Sequence, residues 1–170
     1  WNYESPLNQK IVDSNYEEFF NIIKNFGAEI IELKIENENK ELCDSVFTHD
    51  PSLVINEGAI ILKMGKALRN REEYEHLKLY KSVEIPIVGK ITEEGTIEGG
   101  DCLWINNKTL LIGESFRTNK SGIIQIKNIL SSFGITVIPI SLPEYGNSES
   151  CFHLMSLVSI LDYDLAIGCL

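Results

Sequence analysis

"DCLWINNKTLLIG", residues 101–113, reads as a polar residue, an apolar strand, a short polar turn and a second apolar strand. Asn106-Asn107-Lys108 supplies the hairpin turn. The same order occurs in "DPSLVINEGAIILK", residues 50–63, around Asn56-Glu57-Gly58. It occurs again in "HLMSLVSILDYDLAIG", residues 153–168, around Asp162-Tyr163-Asp164. The starting residues Asp50, Asp101 and His153 fall 51 and 52 positions apart.

Helix-then-strand segments fill the gaps. "REEYEHLKLYKSV" (71–83) precedes "IPIVG" (85–89), and "IIQIKNILSSF" (123–133) is stopped by Gly134 before "ITVIPI" (135–140). Upstream, "NYEEFFNIIKNF" (15–26) sets Tyr16, Phe19, Phe20, Ile23 and Phe26 at helical spacing. Gly27 ends it, and "AEIIELKI" (28–35) is predicted as a strand. Arg69 and Arg117 each follow a hairpin and precede a helix. The unit is therefore polar loop, hairpin, arginine, helix, strand, with a period near 51 residues, the signature of a propeller or array. The expected fold class is α/β, with about three units in a single domain, 1–170. The domain is expected to be incomplete at its C-terminus, with a piece missing before Trp1. Equivalent loops of such a repeat surround one pseudo-symmetry axis, so Asp50, Asp101 and His153 are expected to converge, with Glu98 of "TIEGGDCLW" nearby.

The formal net charge of −10 argues against a nucleic-acid partner, which needs clustered Lys and Arg. No apolar run approaches the roughly 20 residues of a membrane span. The hydrophobic content of 44% is enough for a core. Cys43, Cys102, Cys151 and Cys169 form no CxxC pair, which argues against a zinc site of ordinary spacing. Cys102 and Cys169 lie in apolar runs and are expected to be buried thiols; the cytoplasm is the default compartment.

Two carboxylates, a histidine and nearby arginines suit a guanidinium ligand. That group is planar, cationic at any physiological pH, and donates parallel N–H bonds. Burying it requires carboxylates placed for paired hydrogen bonds. A histidine titrating near neutrality can move protons for a leaving amine. An amino-acid substrate also carries a carboxylate, which Arg69 or Arg117 could clamp.

"CDSVFTHDPSLV" (43–54), "GTIEGGDCLW" (95–104), "ESFRTNKSGI" (114–123) and "CFHLMSLVS" (151–159) together resemble the guanidino-group-modifying superfamily. That superfamily includes arginine deiminase, dimethylarginine dimethylaminohydrolase and the amidinotransferases. The resemblance implies part of a five-bladed α/β propeller, the pentein fold. It implies Asp50 as the guanidinium-binding aspartate, and Asp44 as an acid contacting the amino-acid end of the substrate. It implies His153 as the catalytic histidine, and Glu98 as the acid that partners it and touches the guanidinium. Arg69 and Arg117 match the substrate-carboxylate arginines, and Asp101 joins the substrate-binding set. His49 departs from the pattern, standing where dimethylarginine hydrolases often have an acid.

The implied mechanism is covalent, through a cysteine thiolate, and calls for neither metal nor cofactor. The family's nucleophile follows a glycine-rich stretch in the last repeat. Cys43, Cys151 and Cys169 do not match it, so the thiol is expected outside this chain, leaving the piece alone inactive. The resemblance to dimethylarginine dimethylaminohydrolases implies hydrolysis of arginine or a methylated arginine to citrulline and an amine; amidino transfer to an amine and guanidino binding without catalysis are the alternatives. The partner called for is a small guanidino substrate; an open end of the propeller would serve as an association surface, as in a homo-oligomer. Elsewhere, Thr118 or Asn119 is expected to cap the helix of "RTNKSG", His76 to lie solvated on a charged face, and Leu103 and Trp104 to be core. "ENENKE" (36–41) reads as a polar loop, and "PEYGNSES" (143–150) as a surface loop or lid before His153.

Overall fold

The computed structural model describes residues 5–35, 42–143 and 153–169. The predicted loop 36–41, most of the predicted loop 143–150, and Cys151 lie outside the described residues. The chain divides into two compact units, residues 1–34 and 35–170.

The first unit is built on α1 (Gln9–Asn25), which begins earlier than the aromatic spacing predicts. Gly27, at φ 85°, ends it as expected. Residues 28–35 do not form the predicted strand: none among the described residues pairs with them. An apolar run becomes a strand only where a partner accepts its backbone hydrogen bonds.

The second unit contains the same module twice. Strands β1 (Ser52–Ile55) and β2 (Gly58–Ile61) form an antiparallel hairpin, α2 (Glu72–Ser82) crosses over, and β3 (Ile87–Lys90) pairs parallel to β2. Strands β4 (Cys102–Asn106) and β5 (Thr109–Glu114) repeat the hairpin, α3 (Lys120–Ser131) the crossover, and β6 (Thr136–Ser141) pairs parallel to β5. The first strands of the two modules start at Ser52 and Cys102, in line with the sequence period. A parallel pair cannot be closed by a tight turn, so each module needs its helix.

Asn119 caps α3, its side chain accepting from the Gly122 N–H. Gly134, at φ 69°, ends the turn that follows. One apolar cluster joins the two modules: Leu53, Ile60 and Leu62 pack with Leu110, Ile112, Ile126 and Leu130. Cys102 and Leu103 are buried and Trp104 packs against the cluster.

The third segment opens differently. Residues predicted as strand form one helical turn, α4 (Leu154–Leu157), and then the hairpin β7 (Val158–Asp162) and β8 (Leu165–Gly168). Cys169 follows β8 and is exposed, contrary to expectation. Its hairpin is a sheet of two strands, and β8 is exposed along its length.

The first turn of α2 is also unlike its sequence reading. Glu72, Glu73, Glu75 and His76 are buried rather than solvated. His76 Nδ1 lies 3.2 Å from Ser52 Oγ, which in turn lies 2.7 Å from the Tyr80 hydroxyl. Burial, then the charge of Arg69, lowers the His76 pKa from 6.5 to about 4. The unfolded chain therefore takes up a proton below pH 6.5 that the folded state resists, and stability falls as pH drops from 6.5 towards 4. The loss reaches roughly 2 kcal/mol by about pH 5. Denaturant unfolding at about pH 7 and about pH 5 should show a smaller loss in a His76→Gln variant than in the parent. An equal loss would assign the acid sensitivity elsewhere.

Candidate active site

The loops that enter the first strand of each module meet at one place. Asp50 precedes β1, Glu98 precedes the 3-10 turn Gly99–Asp101 that leads into β4, and His153 is the N-cap of α4. Each of Asp50, Glu98 and His153 offers one side-chain atom to a cluster in which all three atoms lie within 4.8 Å of one another.

Close backbone approach makes this possible. Asp50 accepts the Gly99 N–H through its carbonyl at 2.9 Å, and the Gly100 N–H through Oδ1 at 2.8 Å. A Cβ on Gly99 would stand 2.1 Å from the His49 carbonyl oxygen, and one on Gly100 would stand 2.7 Å from the His153 ring. The glycine pair flanked by two acids is therefore a requirement of packing as well as of turning.

Glu98 is fully buried. Its Oε1 accepts the Gly65 N–H at 2.9 Å and the Lys66 N–H at 3.0 Å. Arg117 Nη1 donates to both oxygens, at 2.9 and 2.7 Å. His153 Nε2 lies 3.5 Å from Glu98 Oε2. Almost every lone pair of this carboxylate is thus engaged.

Arg69 and Arg117 both turn into the carboxylate network. Arg69 is only 3% exposed. Its Nη1 donates to Asp50 Oδ2 at 2.6 Å, its Nη2 to Glu72 Oε2 at 2.6 Å, and its Nε to both Glu72 oxygens. Two backbone carbonyls, of Asp44 and Phe47, take further contacts from Nη2. Burial alone would pull Arg69 down and push Glu72 up. Glu72 and Asp50 reverse the first effect and hold Arg69 above its ordinary value, while Glu72 remains raised. The donors of Arg69, expected to clamp a substrate carboxylate, are engaged by two acids that burial would otherwise leave unpaired. Arg117 is committed through Nη1, but its buried Nε has no acceptor among the described residues.

Asp44 lies in the 3-10 turn Cys43–Val46 and pairs with Lys66 at 2.8 Å. Asp101, predicted to line the pocket, is fully buried behind the histidine. It accepts the Thr118 hydroxyl at 2.6 Å, the Ser115 hydroxyl at 3.3 Å and the Leu154 N–H at 3.0 Å. His153 Nδ1 lies 3.3 Å from its Oδ1, an ion-pair distance without hydrogen-bond alignment. Thr118 therefore serves Asp101, leaving the cap of α3 to Asn119.

Burial pulls the His153 pKa down, but Asp101 first, then Asp50 and Glu98, outweigh it, and the net shift is upward. The imidazole thus keeps its proton to higher pH than a free histidine does. Of the thiols, Cys102 is fully buried and pushed far up by burial, next to Asp101 and Asp50, which makes it inert. Cys43 and Cys169 are exposed.

Sequence reasoning missed Glu72, Thr118 and Ser115 as parts of the network. Glu72 sits three residues after Arg69 on the first turn of α2, a spacing that brings the pair together and could have signalled it. The hydroxyls carried no comparable signal. No helix among the described residues is long and apolar enough to cross a membrane.

Known proteins share this arrangement of chain. An arginine deiminase of Listeria innocua is 31% identical over 123 residues, which cover 69% of this chain and 30% of the relative. An arginine deiminase of Streptococcus pyogenes is 28% identical over 124 residues. Among solved structures, DDAH from Pseudomonas aeruginosa, complexed with citrulline, superposes with a TM-score of 0.66 at 30% identity, over 76% of this chain and 48% of that one. The N-terminal domain of a cyanobacterial arginine dihydrolase, ArgZ, shares the fold with a TM-score of 0.69 at 21% identity, over 81% of this chain and 48% of that one. The chain spans about a third of the length of the curated deiminases and about half of the solved structures. Its α/β fold is the pentein fold of these neighbours. The arginine deiminase model aligns with residues 7–168, nearly the whole sequence and every residue of the Asp50, Glu98 and His153 cluster, and the chain belongs to the arginine deiminase family, within the guanidino-group-modifying superfamily.

Proposed function

We propose that the protein to which this chain belongs hydrolyses the guanidino group of arginine or a methylated arginine, releasing citrulline and an amine. The observation that carries this reading is the meeting of Asp50, Glu98 and His153 within 4.8 Å. Asp50 receives the substrate guanidinium, since among the described residues only one N–H from Gly100 and one from Arg69 occupy its side-chain oxygens. Glu98, nearly saturated, holds His153 and Arg117 in place more than it touches the substrate. Arg117 Nε, buried without an acceptor, suits the substrate carboxylate. Asp44 stands by for the amino-acid end. Four carboxylates (Asp50, Glu72, Glu98, Asp101) face two guanidinium groups (Arg69, Arg117), so the network keeps negative charge for an incoming cation.

The chemistry follows the family. A thiolate attacks the guanidinium carbon, and His153 gives a proton to the departing amine. His153 then takes a proton from the water that cleaves the thiouronium intermediate. The buried Cys102 cannot be that thiolate, and we place the nucleophile in chain beyond this piece, in the module that would also complete a five-bladed propeller. The full-length protein incubated with arginine and methylarginines should yield citrulline. Amidino transfer to added glycine or lysine with no citrulline would reassign it as an amidinotransferase. Binding without either product would make it a guanidino-binding protein.

A further inference from the structure

We propose that Asp101 is the positioning residue of His153, fixing the neutral imidazole as the Nδ1–H tautomer so that Nε2 faces the reacting atoms. The proposal rests on reading His153 as the proton carrier.

The charges around the ring carry it. Asp50 is neutralised by Arg69 and Glu98 by Arg117. Asp101, fully buried, has no arginine or lysine partner among the described residues; its acceptors take only two hydroxyls and one backbone N–H. The ring of His153, with Nδ1 at 3.3 Å, is the cationic group beside it. Nδ1 is itself buried and has no other partner among the described residues. A lone pair on Nδ1 would face a carboxylate oxygen in a dry site, two acceptors in opposition. A proton there turns the same contact into attraction. Nε2, 3.5 Å from a Glu98 already held by Arg117, is left to exchange protons.

The contact is braced from both sides. Oδ1 also holds the Leu154 N–H, so one carboxylate fixes both the ring and the backbone that follows it. Oδ2 is fixed by Thr118 and Ser115. A Cβ on Gly113 would stand 3.0 Å from Oδ1, and one on Gly100 would stand 2.7 Å from the ring. Groups facing the imidazole are Asp101, Asp50 and Glu98, with Arg69 and Arg117 behind the latter two. The upward shift of the His153 pKa, to which Asp101 contributes most among the raising groups, agrees with this.

Histidine-labelled 15N NMR of the full-length protein, with His153 assigned by the loss of its signals in a His153→Asn variant, reads the tautomer directly. The expected spectrum above the His153 pKa is that of Nδ1–H. In Asp101→Asn, the single amide oxygen can keep the Leu154 N–H and still face Nδ1, its NH2 replaces Oδ2 beside the Thr118 and Ser115 hydroxyls, and the negative charge beside the ring is lost. The His153 pKa should fall by about one unit or more, and the alkaline limb of kcat/KM, set by the imidazolium that protonates the departing amine, should move with it. A wild-type spectrum showing Nε2–H, or a folded Asp101→Asn protein with an unchanged His153 pKa, would overturn the proposal. Should Asp101→Asn fail to fold, the wild-type spectrum decides alone. The spectrum needs no turnover, so a failure of the proposed hydrolysis is seen separately.

Discussion

His153→Asn in the full-length protein is expected to lower turnover of its guanidino substrate by about 10²–10⁴-fold and to leave substrate affinity within a few-fold. Asparagine places an amide near the position of Nδ1, so it can still donate to Asp101, and removes Nε2 altogether. The substitution therefore separates the proton-transfer role from the anchoring role. Alanine would blur the two, because it leaves the buried Asp101 carboxylate without its cationic neighbour. Single-turnover rates and ligand affinity, measured together, check this. Activity close to the parent would remove His153 from the chemistry, and an equal loss of binding and turnover would make its role structural.

Arg69→Ala is expected to cost about 3–5 kcal/mol of stability, more than any pocket function would require. Arg69 is the shared counter-ion of Asp50 and Glu72, whose side chains are 11% and 1% exposed. Its removal leaves two buried carboxylates facing one another with no cation between them. Denaturant titration measures the loss. Adding Glu72→Leu should restore part of it, because one uncompensated charge is then gone, and the non-additivity of the pair reports their coupling. A loss below about 1 kcal/mol, as for an exposed ion pair, would mean that Arg69 is free enough to serve a ligand after all.

Much of this arrangement could be read from sequence. The order of hairpin, helix and parallel strand in the two modules follows from alternation, turn chemistry and helical spacing, all local signals. The meeting of Asp50 and His153 follows from their equivalent places in the repeat, with Glu98 close before the third equivalent residue, Asp101. What escaped the sequence was the direction in which charged side chains point. Arg69 reads as a clamp for a ligand carboxylate and His76 as a solvated residue among glutamates, yet both turn inward, because Asp50, Glu72 and Ser52 wait there with complementary atoms. Asp101 looked like a pocket residue because it shares a register with Asp50. In the folded chain Thr118, Ser115 and Leu154 draw its carboxylate behind the histidine. Residues 28–35 carry strand composition without a partner strand, which no local pattern reveals. Cys169 is apolar in context but belongs to a hairpin whose second strand is exposed.

The central claim is that Asp50 and His153, the latter held by Glu98, act on one guanidinium. A crystal structure of the full-length protein with arginine bound tests it most directly. The account predicts the guanidinium hydrogen-bonded to Asp50 with its leaving nitrogen towards His153 Nε2. A guanidinium bound elsewhere, or the three side chains opening onto separate surfaces, would contradict it.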